Sequence, residues 1–196
     1  MGCEIRVFRI VVAAVLVLFA AQAQATEAGW ALLREGEHVV LLRHAMAPGA
    51  AEPANFDIEK CSTQRRLSER GKQQARKIGA LFAARAAPTE QVLTSRFCRT
   101  RDTADLAFGE AEDFAALDPP PGDEAARKEQ LDAIKAVIRD YSGSGNLILV
   151  THLETIEALT GQPAREGEAV VVAPKDDSQG GGQNGDLRVL GRIAFN

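Results

Sequence analysis

The chain has 196 residues, a formal net charge of −4 and 45% hydrophobic side chains. That suffices for one domain with a real core. The acidic balance sets aside nucleic acid and an anionic membrane as main partners, since both need a basic face. The three histidines lie far apart in sequence and no Cys-x-x-Cys occurs, so no spacing resembles a zinc site.

Arg6 and Arg9 make a short basic start, followed by an uncharged apolar run from Ile10 to Ala21 and the small-residue pattern Ala23-Gln24-Ala25. This is the three-part layout of a secretory signal peptide, with cleavage expected after Ala25, before Thr26. The run is about a dozen residues, against roughly 20 for a bilayer-spanning helix. Residues 1–25 are therefore read as an address, and 26–196 as a working domain in the periplasm or secreted, without stable membrane insertion after cleavage. Cys3 precedes the apolar run and so cannot be a lipid-accepting cysteine that follows one. Cys61 and Cys98 survive cleavage. In an oxidising compartment an even pair suggests a disulfide, with two buried free thiols as the other reading.

Along the rest of the chain, His38 to Leu42 is a near-continuous apolar run of the kind that forms a buried strand. A polar, Pro-containing loop covers Ala45 to Gln64. Ser68 opens a helical pattern to about Arg85, with Ala75, Ile78 and Phe82 at helical spacing. Gln91 to Thr94 reads as a strand, Phe97 to Phe108 as a helix, and Pro119 to Pro121 as a rigid break. A helix follows over about Asp123 to Tyr141. Asn146 to Thr151 is the clearest buried strand, and a short helix after His152 ends near Gly161. Ala169 to Ala173 and Leu187 to Phe195 read as strands joined through the Gly-rich Ser178 to Gly185. This alternation predicts an α/β domain with a mainly parallel sheet and an antiparallel C-terminal tail.

Ligands of such sheets bind just beyond the carboxyl ends of the strands. Three polar groups fall there: Arg43-His44, Ser95 through Arg99, and Thr151-His152. Each alone is weak, since an Arg-His pair is common and a lone histidine at a strand end is usually structural. Together they bring two histidines and at least two arginines to one sheet edge. Guanidinium groups bind phosphate oxygens in bidentate fashion, and an imidazole nitrogen can attack phosphorus.

Leu42-Arg43-His44-Ala45 resembles the nucleophile motif of the histidine phosphatase superfamily, the phosphoglycerate mutase-like fold. Leu67 through Ala75 is similar to that family's Leu-Thr/Ser-x-x-Gly-x-x-Gln-Ala helix opening. Ser95 through Ala104 resembles its Ser-x-x-x-Arg-x-x-x-Thr-Ala segment, and Leu149-Val150-Thr151-His152 its strand carrying a second histidine. The landmarks keep the family's order from about Val39 to Gly161. The resemblance implies a three-layer α/β sandwich with helices on both faces of the sheet. It also implies phosphate-ester hydrolysis without a cofactor or metal. His44 would be the phosphate-accepting nucleophile, with Arg43, Arg99 and His152 around the phosphoryl oxygens.

Two departures stand out. Ala45 follows His44 where the family more often has Gly, and no motif marks the acid that protonates the leaving group. Glu110, Glu112, Asp113, Asp118, Asp123 and Glu124 occupy the interval where many members carry it. Glu154, two residues after His152, matches a His-x-Glu arrangement of one phytase-like branch, and its other reading is a solvated first-turn carboxylate. Arg65 is a candidate outer phosphate ligand, whereas Arg96 and Arg101 read as salt-bridged surface residues and His38 as structural. A Cys61–Cys98 bridge would pin the Asn55–Gln64 loop over the Arg99 segment.

The leading expectation is an exported phosphatase acting on a small-molecule or envelope-attached phosphate ester. Alternatives are a phosphohistidine protein phosphatase and a phosphate-binding module of the same fold without turnover.

Overall fold

The structure, a computed structural model, describes residues 26–175 and 185–195. The signal-like segment and residues 178–184 of the Gly-rich connection lie outside the described residues. Helix α1 (26–35) opens the domain. Strands β1 (Val39–Arg43), β2 (Thr89–Thr94), β3 (Glu112–Asp113), β4 (Asn146–Thr151), β5 (Glu168–Pro174) and β6 (Leu187–Ala194) follow. Between them lie α2 (Glu69–Ala84), α3 (Cys98–Phe108), α4 (Glu124–Asp140) and α5 (Leu153–Thr160), with single 3-10 turns at Cys61–Thr63 and Ala115–Leu117.

The strands form one sheet in the order β3-β2-β4-β1-β5-β6. β1, β2, β3 and β4 pair in parallel, whereas β5 pairs antiparallel with β1 and β6 antiparallel with β5. The expected α/β architecture with its antiparallel tail is therefore what the chain adopts. β1 and β4 are central, which explains why Val39 to Leu42 and Leu147 to Val150 are apolar throughout: both faces of each strand are covered. Val40, Leu42, Ile148 and Val150 pack against Trp30 and Leu33 of α1, Ile78 and Phe82 of α2, and Ala104 of α3. Val39, Leu41, Leu147 and Leu149 face the other way, onto Ile134 and Ile138 of α4 and Ile156 and Leu159 of α5. These two clusters make the three layers.

Two elements escaped the sequence patterns. α1 begins where a signal peptide was expected to end. β3 is two exposed acidic residues without an apolar signal, held by its pairing to Leu93 and Thr94 and by the Arg101–Asp113 ion pair. His38 lies at the amino end of β1, 3.8 Å from Glu35 and at the opposite end from His44, in keeping with a structural role.

The opening of α2 is built to hold the segment that follows β1. The Ser68 hydroxyl oxygen caps the helix by accepting from the Gly71 N–H at 3.0 Å. The Met46 carbonyl accepts from the Ser68 N–H at 3.0 Å and from its hydroxyl at 3.2 Å. One turn on, Gln74 Oε1 accepts from the Met46 N–H at 3.0 Å. Helix and loop approach so closely that a Cβ on Gly71 would stand 2.1 Å from the Met46 carbonyl oxygen. Gly71 to Ala normally favours a helix, but here the clash wins. Gly71→Ala is expected to destabilise the domain by about 1–3 kcal/mol, read as a lower denaturation midpoint, and an unchanged or raised midpoint would show that the contact does not constrain the fold.

Candidate active site

The backbone ladder continues past the strand ends and sets the groups side by side. Arg43 pairs with Thr151, and the His44 N–H donates to the Thr151 carbonyl at 3.0 Å. The Ser95 N–H donates to the Val150 carbonyl at 3.0 Å. His44, Ser95 and His152 thus converge at the carboxyl edge of the sheet. The His44 and His152 rings lie 5.6 Å apart between centroids.

His44 is 2% exposed. Its Nδ1 lies 2.8 Å from the Ala45 carbonyl oxygen, which can only accept, so Nδ1 carries the proton. Nε2 then holds a lone pair and has no hydrogen-bond partner among the described residues. Burial pushes the His44 pKa down to about 3, aided by the charges of Arg99, Arg43 and Arg65 and opposed by the Ala45 hydrogen bond. The ring is neutral near pH 7.

Arg99 is buried at the start of α3. Its Nη1 donates to Glu52 Oε1 at 2.6 Å, and its Nη2 lies 3.0 Å from His152 Nδ1. A guanidinium has only donors, so His152 Nδ1 accepts and Nε2 carries the proton. That Nε2–H donates to Ser95 Oγ at 2.9 Å, and the Ser95 hydroxyl donates to Asp118 Oδ1 at 2.8 Å. Asp118 also accepts from the Arg96 N–H at Oδ1 and, at Oδ2, from the Arg96 Nε–H and Nη2–H at 2.8 and 2.7 Å. Burial, and then the Arg99 charge, hold His152 well below the usual histidine range.

Arg43 donates from Nη1 to the Ala164 carbonyl at 2.8 Å, with Glu166 4.0 Å from its Nη2. The Nε atoms of Arg43 and Arg99 are buried and have no hydrogen-bond partner among the described residues. Arg65 donates to the Ala47 carbonyl at 2.6 Å and the Pro48 carbonyl at 3.2 Å, and its charge is felt by both histidines. Its own N–H donates to Glu52 Oε2 at 2.9 Å. Glu154 is exposed in the first turn of α5, within electrostatic reach of Arg99. Arg96 and Arg101 pair with Asp118 and Asp113, as expected of salt-bridged residues.

Cys61 and Cys98 are bridged, which ties the loop after β1 to the first turn of α3 beside Arg99. The Cys98 N–H also donates to Gln64 Oε1 at 2.9 Å. Among the described residues no three His, Cys, Asp or Glu side chains gather as a metal-binding group.

The structure therefore brings together His44, Arg43, Arg99 and His152, with Arg65 around them and Glu154 exposed within reach of Arg99. Sequence reasoning missed Glu52, and it named Ser95 and Asp118 without their link. Ser95 heads the Arg99 segment, so its place was marked. Glu52 sits in a loop where nothing in the local pattern singles it out.

The model of the histidine phosphatase superfamily (branch 1) matches residues 39–119, the stretch that holds His44, Arg65 and Arg99. No curated protein sequence matches the chain. Among solved structures, SixA from Agrobacterium tumefaciens is 22% identical, with a TM-score of 0.54 over 80% of this chain and 97% of its own. The protein histidine phosphatase SixA complexed with tungstate is 20% identical, with a TM-score of 0.52 over 80% and 96%. Phosphoglycerate mutase from Thermus thermophilus is also 20% identical, with a TM-score of 0.54 over 81% and 99%. These likenesses establish the fold, and the matched segment supports activity of the phosphatase or mutase type. The matched segment and the fold together support assignment to the histidine phosphatase superfamily.

Proposed function

We propose that the chain is an exported, metal-independent phosphatase that hydrolyses phosphomonoesters through a phosphohistidine on His44. One observation carries this reading. The Ala45 carbonyl ties up the Nδ1 proton of a buried histidine and leaves the Nε2 lone pair within the field of the buried Arg99 and the half-buried Arg43. His44 Nε2 attacks phosphorus, the ester P–O bond breaks, and the leaving oxygen takes a proton. Water then attacks phosphorus, the P–N bond breaks, and inorganic phosphate leaves.

Arg43 and Arg99 would offset the charge on the equatorial oxygens. Arg65 adds positive potential from the rim. His152, engaged at both ring nitrogens, acts chiefly by aiming Arg99, with Ser95 and Asp118 behind it. Glu154 is the proposed proton donor to the leaving group, since it is exposed in the first turn of α5 within electrostatic reach of Arg99. Export is supported by the signal-like layout of residues 1–25 and by the disulfide, which suits an oxidising compartment.

A second reading, hydrolysis of phosphohistidine on proteins, is favoured by the structural likeness to SixA. A phosphohistidine peptide turned over faster than any phosphate ester would favour it.

The domain from Thr26 onward is expected to hydrolyse p-nitrophenyl phosphate in EDTA, and His44→Ala to abolish that turnover. Glu154→Gln is expected to slow glycerol phosphate more than p-nitrophenyl phosphate, whose leaving group needs little protonation. Absence of turnover between about pH 4 and 8, where a neutral His44 is available, would point to a phosphate-binding module. Turnover that persists in His44→Ala would remove His44 as the nucleophile.

Glu52 occupies a guanidinium edge that a phosphate would use. Glu52→Gln is expected to bind inorganic phosphate about tenfold more tightly, because one like charge is removed from the site. Weaker binding by calorimetry would show instead that Glu52 is needed to hold Arg99 in place.

Stability should also report on His44. Its folded pKa is about 3, below the ordinary value of 6.5, so between these values the unfolded chain binds a proton that the folded one refuses. Stability is expected to fall as pH drops through that window. His44→Asn should show a shallower loss in denaturant midpoint between pH 7 and pH 4.5, and an identical loss would contradict the assignment.

A further inference from the structure

The site has an aromatic wall. Four rings run outward from the nucleophile: His44, His152, Phe97 and Phe56. The centroid of each lies 5.6, 5.1 and 5.3 Å from the next in turn. The series begins in the core, with His44 2% exposed, and ends at Phe56, which is 38% exposed. Phe56 is the exposed large hydrophobic side chain among the described residues. Phe97 lies under the Arg99 guanidinium, 4.8 Å from its centroid, and stacks on Phe56 at an interplanar angle of 22°.

An isolated exposed phenylalanine needs no explanation. Two features set this one apart. Its ring is continuous with the phosphate-binding groups, and the loop beneath it is fixed. The Phe56 N–H donates to the Pro53 carbonyl at 3.0 Å. The Asp57 N–H donates to Thr63 Oγ1 at 3.0 Å, and Gln64 Nε2 donates to the Asp57 and Ile58 carbonyls at 3.1 and 2.8 Å. The Cys61–Cys98 bridge closes the same loop onto α3. The ring is thus held in water by its surroundings, a preorganised apolar surface at the mouth of a polar site.

In-line displacement places the leaving oxygen opposite His44 Nε2, directed away from the buried base and toward solvent. The aromatic series likewise passes from the buried His44 to the exposed Phe56. We infer that Phe56, backed by Phe97, is a stacking platform for the leaving group, and that the enzyme prefers phosphate esters of planar aromatic groups over small aliphatic ones. This rests on the phosphatase reading and names the substrate class for that site.

The test compares calorimetric binding of phenylphosphonate and methylphosphonate, which cannot be hydrolysed, to wild type, Phe56→Leu and Phe56→Trp. The relative kcat/KM for 1-naphthyl phosphate and glycerol phosphate is measured in parallel. The phenyl-over-methyl preference of wild type is expected to fall about three- to tenfold in Phe56→Leu, the worth of one aromatic pair, and to return in Phe56→Trp. The naphthyl-over-glycerol ratio should move the same way. Equal preference in all three proteins overturns the platform while leaving the phosphatase reading intact. A wild type that hydrolyses both esters but binds the two phosphonates alike does so as well. A wild type that binds no phosphonate and hydrolyses no ester overturns both.

Discussion

A guanidinium buried in the first turn of α3 is the constraint around which this site is arranged. Removing a cation from water costs several kcal/mol unless close partners offset it. Arg99 finds Glu52 on one side, the His152 lone pair on another and the Phe97 ring beneath. Each partner is then constrained in turn. His152 must stay neutral with its proton on Nε2, because an Nδ1 proton would face a donor. Ser95 must accept a hydrogen bond from that Nε2–H and donate its own hydroxyl to Asp118, and Asp118 must be held by Arg96. One buried charge thereby orders a chain of side chains drawn from α3, from the residues just after β2 and β4, and from the segment before α4.

The same logic explains the spacing of polar residues outside the site. Ser68, Gly71 and Gln74 grip Met46, and Thr103 Oγ1 accepts from the Ala45 N–H at 3.0 Å while donating to the Arg99 carbonyl at 2.7 Å. These contacts fix the chain just after His44, and with it the carbonyl that sets the tautomer of His44. Ala45, where a glycine was the commoner expectation, has its methyl group fully buried in a small cluster with Ala47, Leu67 and Ala75. The substitution is accommodated by packing and leaves the Ala45 carbonyl where His44 needs it.

Electrostatically the site is a set of cations with carboxylates close by. Glu52 sits on Arg99, and Glu166 stands 4.0 Å from Arg43 while accepting from the Ala47 N–H at 3.2 Å. Such pairing lets a cluster of like charges persist in the folded protein before an anion arrives. It also makes selectivity a matter of exchange: an incoming phosphate has to do better than a carboxylate at the same guanidinium. A dianion with three equatorial oxygens can do so through bidentate, charge-assisted hydrogen bonds. The disulfide and the side-chain bonds of Gln64 keep Glu52 and the aromatic rim on one fixed loop, so this competition is staged on a rigid frame.

Much of this was written locally in the chain. The apolar runs at β1 and β4 identify themselves because both faces are buried, and the polar residues at their carboxyl ends, Arg43-His44 and Thr151-His152, are placed by strand geometry alone. Helical spacing marks α2 and α4, and the cap of α2 is visible as Ser68 three residues before Gly71. What the tertiary structure decided is every relation between segments distant in sequence. Glu52 on Arg99, Asp118 behind Ser95, Phe56 on Phe97 and Cys61 against Cys98 join residues that share no local period. Helix and strand follow from hydrogen bonds and side-chain spacing within a few residues. Pairing across a loop follows from where the whole sheet and its helices bring that loop to rest, and a carboxylate in an irregular segment carries no sign of the arginine it will meet.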